Sequence, residues 1–351
     1  HLVFFVPMLT AVLCVFSLGC APLVLVVGGD VPEDGLETLE ARAEDMAKKG
    51  SPDGYFGLAQ SYYHGGEKVN GIKVPQDKEK AAEFFGKAAD MGDRDAIYSL
   101  GQMYFSGDGV PKEIDTAAKL WEKAALKGNV EAQFNVGLMY YEGTEIKQDI
   151  KKTLKFWKKA SRSGSTLAQE NLGLMYETGS MGVLKNMTKA VQYYTKAAAH
   201  GSAKAQRALG KLNFEGDVGS QNKTKAVELL EMAAKQGDTS SQYNVGLMHF
   251  RGDGIPQNVT RAEEFFRQAA AEGHGDSLAM LGLMSYEGQG VPQNTTRGIM
   301  LWDKAAKKGS EVAKDMLKSE DVQGEMKHLA IEEMKKKHAD EQMKKKHAGE
   351  L

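Results

Sequence analysis

Apolar residues recur along most of the chain with the three- and four-residue spacing of amphipathic helices, in pairs of segments that repeat. In the segment 130–165, Ala132, Val136, Gly137 and Tyr140 share one face of a first helix. A turn containing glycine follows. A second helix then begins near an acidic residue or Asn, carries Ala, an aromatic residue and Ala-Ala, and ends at Gly. The pattern predicts a unit made of helix A, a turn and helix B.

Two series of glycines set the period of this unit. One lies within helix A, in the phrase Leu/Val-Gly-x-Met/Leu, and we call its members the marker glycines: Gly101, Gly137, Gly173, Gly210, Gly246 and Gly282. The other ends helix B, and we call its members the closing glycines: Gly92, Gly128, Gly164, Gly201, Gly237, Gly273 and Gly309. Successive members are 36 residues apart, except for one interval of 37 in each series. A fixed period of this length is typical of stacked helical units and predicts an all-α solenoid with seven repeats over residues 54–310.

Local departures from the period are predicted to lie in loops. The first repeat, near Gly57, has a longer loop at Gly65–Pro75, and the extra residue of the fourth repeat falls within Thr178–Lys185.

Each marker glycine costs about 1 kcal/mol of helix propensity relative to Ala. We therefore expect a neighbouring helix to approach closely at these positions.

Large apolar residues share one phase, seven residues before each closing glycine. All three tryptophans of the chain belong to this row, which comprises Phe85, Trp121, Trp157, Tyr194, Leu230, Phe266 and Trp302. We interpret the row as core packing between adjacent repeats. A second row is interpreted as core as well: Met103, Met139, Met175, Met248 and Met284.

Outside the repeats, the chain divides into three segments. Residues 1–29 form an apolar stretch that has no charge after His1 and is interpreted as a cleaved signal peptide or a retained signal anchor; membrane attachment is expected only through this segment. Residues 30–53 are expected to form a lead-in or cap helix. Residues 311–351 begin like another helix A and continue as a charged tail, either a solvated single helix or a disordered segment. The alternative interpretation of this tail is the docking of a partner. The final four residues, 348–351, only partly match an endoplasmic reticulum (ER) retrieval signal.

Composition and motifs argue against several classes of function. The net charge of −2 provides no overall basic field for nucleic acid, and the basic clusters 335–337 and 344–346 lack interleaved aromatic residues. The only cysteines are Cys14 and Cys20, in the apolar stretch. The sequence contains no P-loop, His-Glu-x-x-His, Gly-x-Ser-x-Gly or calcium-loop motif. We therefore predict no enzymatic activity, no catalytic or metal-binding residues and no cofactor.

The repeat resembles a known family at three phrases: residues 132–140 (Ala-Gln-Phe-Asn-Val-Gly-Leu-Met-Tyr), 107–111 (Gly-Asp-Gly-Val-Pro) and 120–128 (Leu-Trp-Glu-Lys-Ala-Ala-Leu-Lys-Gly). These look like the Sel1-like repeat, a relative of the tetratricopeptide repeat. The resemblance implies a right-handed superhelix that binds other proteins, with no catalytic residues.

Four Asn-x-Ser/Thr sequons occupy a single phase of the repeat, at the start of helix B. They lie at intervals of 36 residues, at Asn186, Asn222, Asn258 and Asn294. Asn at this position can cap the helix, as Asp77, Glu113 and Asp149 are expected to do in earlier repeats. In a secretory protein the same residues are candidates for N-glycosylation. Both interpretations remain open.

Three polar residues of helix A are candidates for protein binding. Asn135, Asn171 and Asn244 each lie two residues before a marker glycine. The alternative interpretation is solvent exposure or hydrogen bonding between repeats.

The functional hypothesis combines the repeat, the sequons and the apolar N-terminal segment. Together they resemble the Sel1-type adaptors of ER-associated degradation, which implies a scaffold of the ER lumen whose partners are misfolded glycoproteins or ubiquitin-ligase components. The alternatives are a secreted, cell-surface or bacterial periplasmic interaction protein, or a regulator of another enzyme.

Overall fold

The computed structural model describes residues 35–66, 68–144, 146–216 and 221–348. The signal or anchor prediction for residues 1–29, with Cys14 and Cys20, lies outside the described residues. The same holds for the last three residues of the ER-retrieval resemblance.

The described residues form an all-α fold with one small hairpin. Helix α1 spans Gly35–Lys48, and α16 (Glu311–Lys318) and α17 (Glu320–Ala348) end the series. Between them lie seven helix A–helix B pairs: α2 (Asp53–His64) with α3 (Lys78–Asp90), α4 (Arg94–Ser106) with α5 (Ile114–Leu126), α6 (Val130–Glu142) with α7 (Ile150–Arg162), α8 (Thr166–Thr178) with α9 (Met187–Ala199), α10 (Ala203–Glu215) with α11 (Lys223–Lys235), α12 (Thr239–Arg251) with α13 (Val259–Ala271), and α14 (Gly275–Glu287) with α15 (Thr295–Lys307). The predicted fold class, an all-α solenoid of helix pairs, is confirmed.

The long loop of the first repeat contains a structure that the periodicity did not predict. Strands β1 (Lys68–Val69) and β2 (Ile72–Lys73) pair antiparallel, with Val69 opposite Ile72. Asn70, in the turn between them, has a φ of 50°, and Gly71 has a φ of 80°. The loop of the fourth repeat instead forms a short 3-10 turn at Ser180–Gly182, where the extra residue was expected.

The closing glycines end helix B as predicted. Each has a positive φ, 91° at Gly92 for example. The N–H of the following residue, Asp93, donates to the carbonyl of Ala88 at 3.1 Å. This is the Schellman arrangement, in which a left-handed residue satisfies the last carbonyls of a helix. The same bond recurs after each of the other six closing glycines.

The residues fall into two compact units, and each is described separately. Unit 1 extends to Ala168 and contains α1 to α7; unit 2 begins at Gln169 and extends through α17. Within each unit consecutive helices pack together in chain order. In unit 2 the charged tail contacts the repeats at its start, where Val322 of α17 is buried in the cluster that contains Trp302, whereas the neighbouring Asp321 and Gln323 are exposed.

Each marker glycine allows a large side chain of its own repeat to lie against helix A. A Cβ added at Gly101 would lie 2.6 Å from the Cδ1 atom of Trp121, too close for any real contact. The Trp121 indole N–H also donates to the Tyr98 carbonyl at 3.2 Å. The expected close approach of a partner helix is therefore confirmed.

The origin of that close approach differs from the expectation. The large apolar row is buried as predicted, but its ring contacts join helix A and helix B of the same pair rather than adjacent repeats. Trp121, for example, packs on Tyr98 and Phe105, both within α4. The pairing is internal because helix B folds back directly onto the glycine gap in its own helix A.

Candidate interaction surfaces

All four sequon asparagines cap helix B. The Oδ1 atom of Asn186 accepts a hydrogen bond from the Lys189 backbone N–H at 2.9 Å. The other three make the equivalent bond at 2.8–2.9 Å, to Lys225, Arg261 and Arg297. The side chains of Asn222, Asn258 and Asn294 are exposed, and that of Asn186 is half-buried.

Capping and glycosylation use different atoms of these side chains. The cap uses Oδ1 as an acceptor, whereas an N-glycan is attached through Nδ2. The two interpretations of the sequons are therefore compatible. In unit 1, Asp77 and Asp149 cap in the same way, whereas Glu113 makes no capping hydrogen bond and accepts one from the Thr116 hydroxyl instead.

The three helix A asparagines occupy the same half-buried position in different repeats. Asn135 donates from Nδ2 to the hydroxyl of Tyr98, in the preceding repeat, at 3.0 Å. Tyr98 is 9% exposed, and its burial raises the pKa of its hydroxyl well above the usual value. At Asn135 the structure therefore supplies the inter-repeat hydrogen bond that was the alternative to protein binding. Asn171 and Asn244 lie at the corresponding positions of unit 2.

A second inter-repeat contact was missed by the sequence analysis. The Tyr140 hydroxyl donates to Glu122 Oε1 at 2.5 Å, and Lys152 Nζ donates to the same hydroxyl at 2.6 Å. These residues come from helix B of one repeat and from helices A and B of the next. Burial, followed by the hydrogen bond to Glu122, raises the pKa of Tyr140. The three side chains connect two neighbouring repeats of unit 1.

Unit 2 repeats this arrangement with a histidine. Glu231, His249 and Arg261 each lie 109 residues after Glu122, Tyr140 and Lys152. His249 is 9% exposed, and its Nε2 lies 3.6 Å from Glu231 Oε1. Within the described part of the chain, neither ring nitrogen has a hydrogen-bond partner. Burial lowers the pKa of His249.

A charged pair also fastens the Gly-Asp-Gly turns to the preceding repeat. Lys78, the first residue of α3, forms an ion pair with Asp108 at 2.8 Å, and Lys223 of α11 pairs with Asp253 at 3.0 Å. The Tyr63 hydroxyl donates to Asp108 at 3.0 Å, and burial together with this bond raises the pKa of Tyr63 to about 12.

A third turn of this kind, Gly288-Gln289-Gly290, has Gln in place of Asp, and the helix B before it begins with Val259 in place of Lys. An apolar contact replaces the ion pair there, since a Cβ added at Gly290 would lie 2.7 Å from Val259 Cγ1. The 30-residue separation of Lys and Asp was a sequence signal that could have revealed these pairs.

The described residues show neither a metal-binding cluster nor a membrane-spanning helix. Over residues 35–66, 68–144, 146–216 and 221–348, no group of three or more His, Cys, Asp or Glu side chains is arranged to hold a metal ion. Over the same ranges, no helix combines the length and apolar character needed to cross a membrane.

Comparison with known proteins gives a consistent result. Consecutive Sel1 repeats match residues 52–93, 94–129, 130–165, 166–202, 203–238, 239–274 and 275–310. No curated protein sequence matches the chain.

Two solved bacterial structures share the fold. One is a protective antigen of uropathogenic Escherichia coli with an SLR fold, at 28% identity and a TM-score of 0.69 over 77% of this chain. The other is a Sel1 repeat protein from Oxalobacter formigenes, at 29% identity and a TM-score of 0.61 over 80% of this chain. The matched region spans 56% of the first protein and 79% of the second. With seven matched repeats covering most of its length, the chain belongs to the Sel1 repeat family.

Proposed function

We propose that the chain works as a protein-interaction scaffold rather than as an enzyme. The observation that carries this proposal is the uninterrupted run of seven Sel1 repeats, because proteins built from such repeats act as interaction scaffolds. The contacts between repeats support it. Asn135–Tyr98 and Lys78–Asp108 join neighbouring repeats, so each surface is held in a fixed relation to the next within a unit.

The finer proposal is a glycosylated scaffold of the secretory pathway, in ER protein quality control, with misfolded glycoproteins or ubiquitin-ligase components as partners. It is supported by the sequons, which occupy one structural position in four successive repeats with three of the four asparagines exposed. The apolar segment 1–29 supports entry into that pathway. A secreted, cell-surface or periplasmic scaffold is the second candidate, and the bacterial origin of both structural relatives favours its periplasmic form.

Endoglycosidase treatment tests the secretory proposal. The full chain, expressed in a eukaryotic cell, is expected to show a stepwise mobility shift from up to four glycans. High-mannose glycans on cell-associated protein would support ER residence, and processed glycans on secreted protein would support the extracellular candidate. An unshifted chain would overturn the glycosylated scaffold and leave the asparagines as helix caps.

The chain offers two matched controls for this experiment. Replacing the four asparagines with Asp removes the sequons but keeps a capping carboxylate, as at Asp77 and Asp149. Replacing Thr188, Thr224, Thr260 and Thr296 with Ala removes the sequons and keeps the asparagines. Both variants should lose the shift while retaining the helical circular-dichroism spectrum, which separates loss of glycan from loss of fold.

A further inference from the structure

Helix α7 of unit 1 carries an unusual concentration of positive charge. Its thirteen residues include six basic side chains and no acidic one. Four of them follow one face at intervals of four, three and four residues, and we call this set the basic stripe: Lys151, Lys155, Lys158 and Arg162. Lys158 is half-buried, and the other three are exposed.

The fold does not require cations at these four positions. In α3, the first helix B of unit 1, they are occupied by Glu79, Glu83, Gly86 and Asp90. In α9 they are occupied by uncharged residues, Thr188, Gln192, Thr195 and Ala199. Since repeats with acidic and neutral residues at these positions form the same helix pair, the basic stripe is a property of α7 and not of the repeat.

The basic stripe is electrostatically unfavourable for the isolated helix. Like charges three or four residues apart destabilise a helix by about 0.2–0.5 kcal/mol per pair. Lys151 also lies in the first turn, where the helix dipole disfavours a cation. Of the six basic residues of α7, only Lys152 lies within 4.0 Å of a carboxylate, Glu122, when the described residues are considered. Negative charge from outside these residues would relieve the repulsion.

We propose that the basic stripe is a docking site for an acidic segment of a partner protein. This inference rests on the scaffold function proposed above and is independent of where in the cell the chain resides. The stripe extends over twelve residues of helix, roughly 16 Å from the first to the last, which suits three or four carboxylates on one short segment. A protein partner is favoured over a single-stranded nucleic acid because the aromatic residues of α7, Phe156 and Trp157, are buried and cannot stack on bases.

Fluorescence anisotropy on the purified full chain tests the proposal. The probe is a fluorescein-labelled 16-residue peptide of alternating Glu and Ser, compared with the same peptide carrying Gln in place of Glu. We expect salt-sensitive binding of the Glu peptide only. The triple variant Lys151→Glu, Lys155→Glu, Arg162→Glu should weaken it roughly tenfold or more, because attraction becomes repulsion at three positions.

A matched control variant has the same net charge as the stripe variant but leaves the stripe intact. Lys196→Glu, Lys211→Glu, Lys235→Glu changes three exposed lysines of unit 2 and should leave the affinity within about twofold of the wild type. Circular dichroism checks that both variants fold, and substitution of the three stripe residues with Gln provides a milder version of the same test.

Four outcomes would overturn the proposal. The wild-type chain could fail to bind the Glu peptide, or both triple variants could lose binding equally. A single-stranded oligonucleotide or a phosphatidylserine vesicle could bind more tightly than the peptide with the same dependence on the stripe. Sedimentation could show a dimer that dissociates in the stripe variant, in which case the occupant is a second copy of the chain. None of these outcomes depends on glycans, so the secretory proposal is tested separately.

Discussion

At the scale of single residues, each repeat depends on a glycine in helix A that leaves room for a large side chain of helix B. Periodicity was sufficient to predict that marker glycines are closely approached and that the large apolar row is buried. It could not predict which helix supplies the contact, because equivalent positions recur in every repeat and spacing alone does not distinguish the same repeat from its neighbour. That distinction required the contacts between Gly101, Tyr98 and Trp121.

Substitution of a marker glycine tests this packing. Gly101→Ala should destabilise the protein by about 1–3 kcal/mol, because the new methyl group displaces the Trp121 ring and lengthens its hydrogen bond to Tyr98. Gly86→Ala is the control. Gly86 also lies within a helix but has open space at its Cβ position, so this substitution should stabilise the protein by up to about 1 kcal/mol. Urea unfolding followed by circular dichroism measures both. Equal effects of the two substitutions would contradict the packing argument.

At the scale of helices and turns, the residues at the ends were informative. Asp and Asn at the start of helix B act as the predicted caps, whereas Glu113 does not, because its longer side chain bonds to Thr116 instead. The hairpin at Lys68–Lys73 was missed even though Asn70-Gly71, between Val69 and Ile72, is a strong turn signal. Each strand has only two residues, which is too short to show the alternation of apolar and polar residues that identifies a strand in a sequence.

The pair between Lys78 and Asp108 belongs to this scale, since it connects a helix start to a turn. A double-mutant cycle with Lys78→Ala and Asp108→Ala should give a coupling free energy of about 0.5–1 kcal/mol, because both side chains are only about one-third exposed. The coupling should decrease at high salt. The same cycle on Val259 and Gln289, at the equivalent positions, should give almost no salt-dependent coupling. A similar salt response in both cycles would argue against the ion pair.

At the scale of the whole molecule, the fold class and the number of helix pairs could be predicted, because the same pattern of residues occurs seven times along the chain. The charged tail was harder, since Val322 is one apolar residue in a polar context, and its burial depends on the end of the preceding repeat. Protein binding by the three helix A asparagines stays a prediction. Asn135 is used for contact between repeats, and polarity at one phase does not separate that role from recognition.

Stability as a whole should depend on pH through His249. Glu231, Arg261 and Glu264 surround it, and burial is the main reason that its pKa is lowered below 6.5 in the folded state. The unfolded chain therefore takes up the proton first, and stability should be lost as pH falls from above 6.5 through the folded pKa. Denaturant midpoints between pH 8 and pH 5 measure this loss.

Substitutions at two histidines distinguish the effect of His249 from a general loss of stability in acid. His249→Tyr should reduce the acid sensitivity, because Tyr at the equivalent position 140 donates to a glutamate without titrating in this range. His328→Gln, an exposed histidine of α17, is the control and should leave the pH dependence intact. The hypothesis fails if the two variants show the same pH profile.

The ion pairs at the turns have a consequence for how such an array can be rearranged. Lys78 belongs to one repeat and Asp108 to the next, so the boundary between the two repeats separates the two residues of the ion pair. A second copy of residues 94–129 inserted after the first would place a new Asp opposite Ile114 and leave its carboxylate without the lysine. A segment of one repeat length cut in the loop before helix B, such as residues 77–112, would carry both partners together. The unit that can be exchanged without loss is therefore offset from the unit that folds.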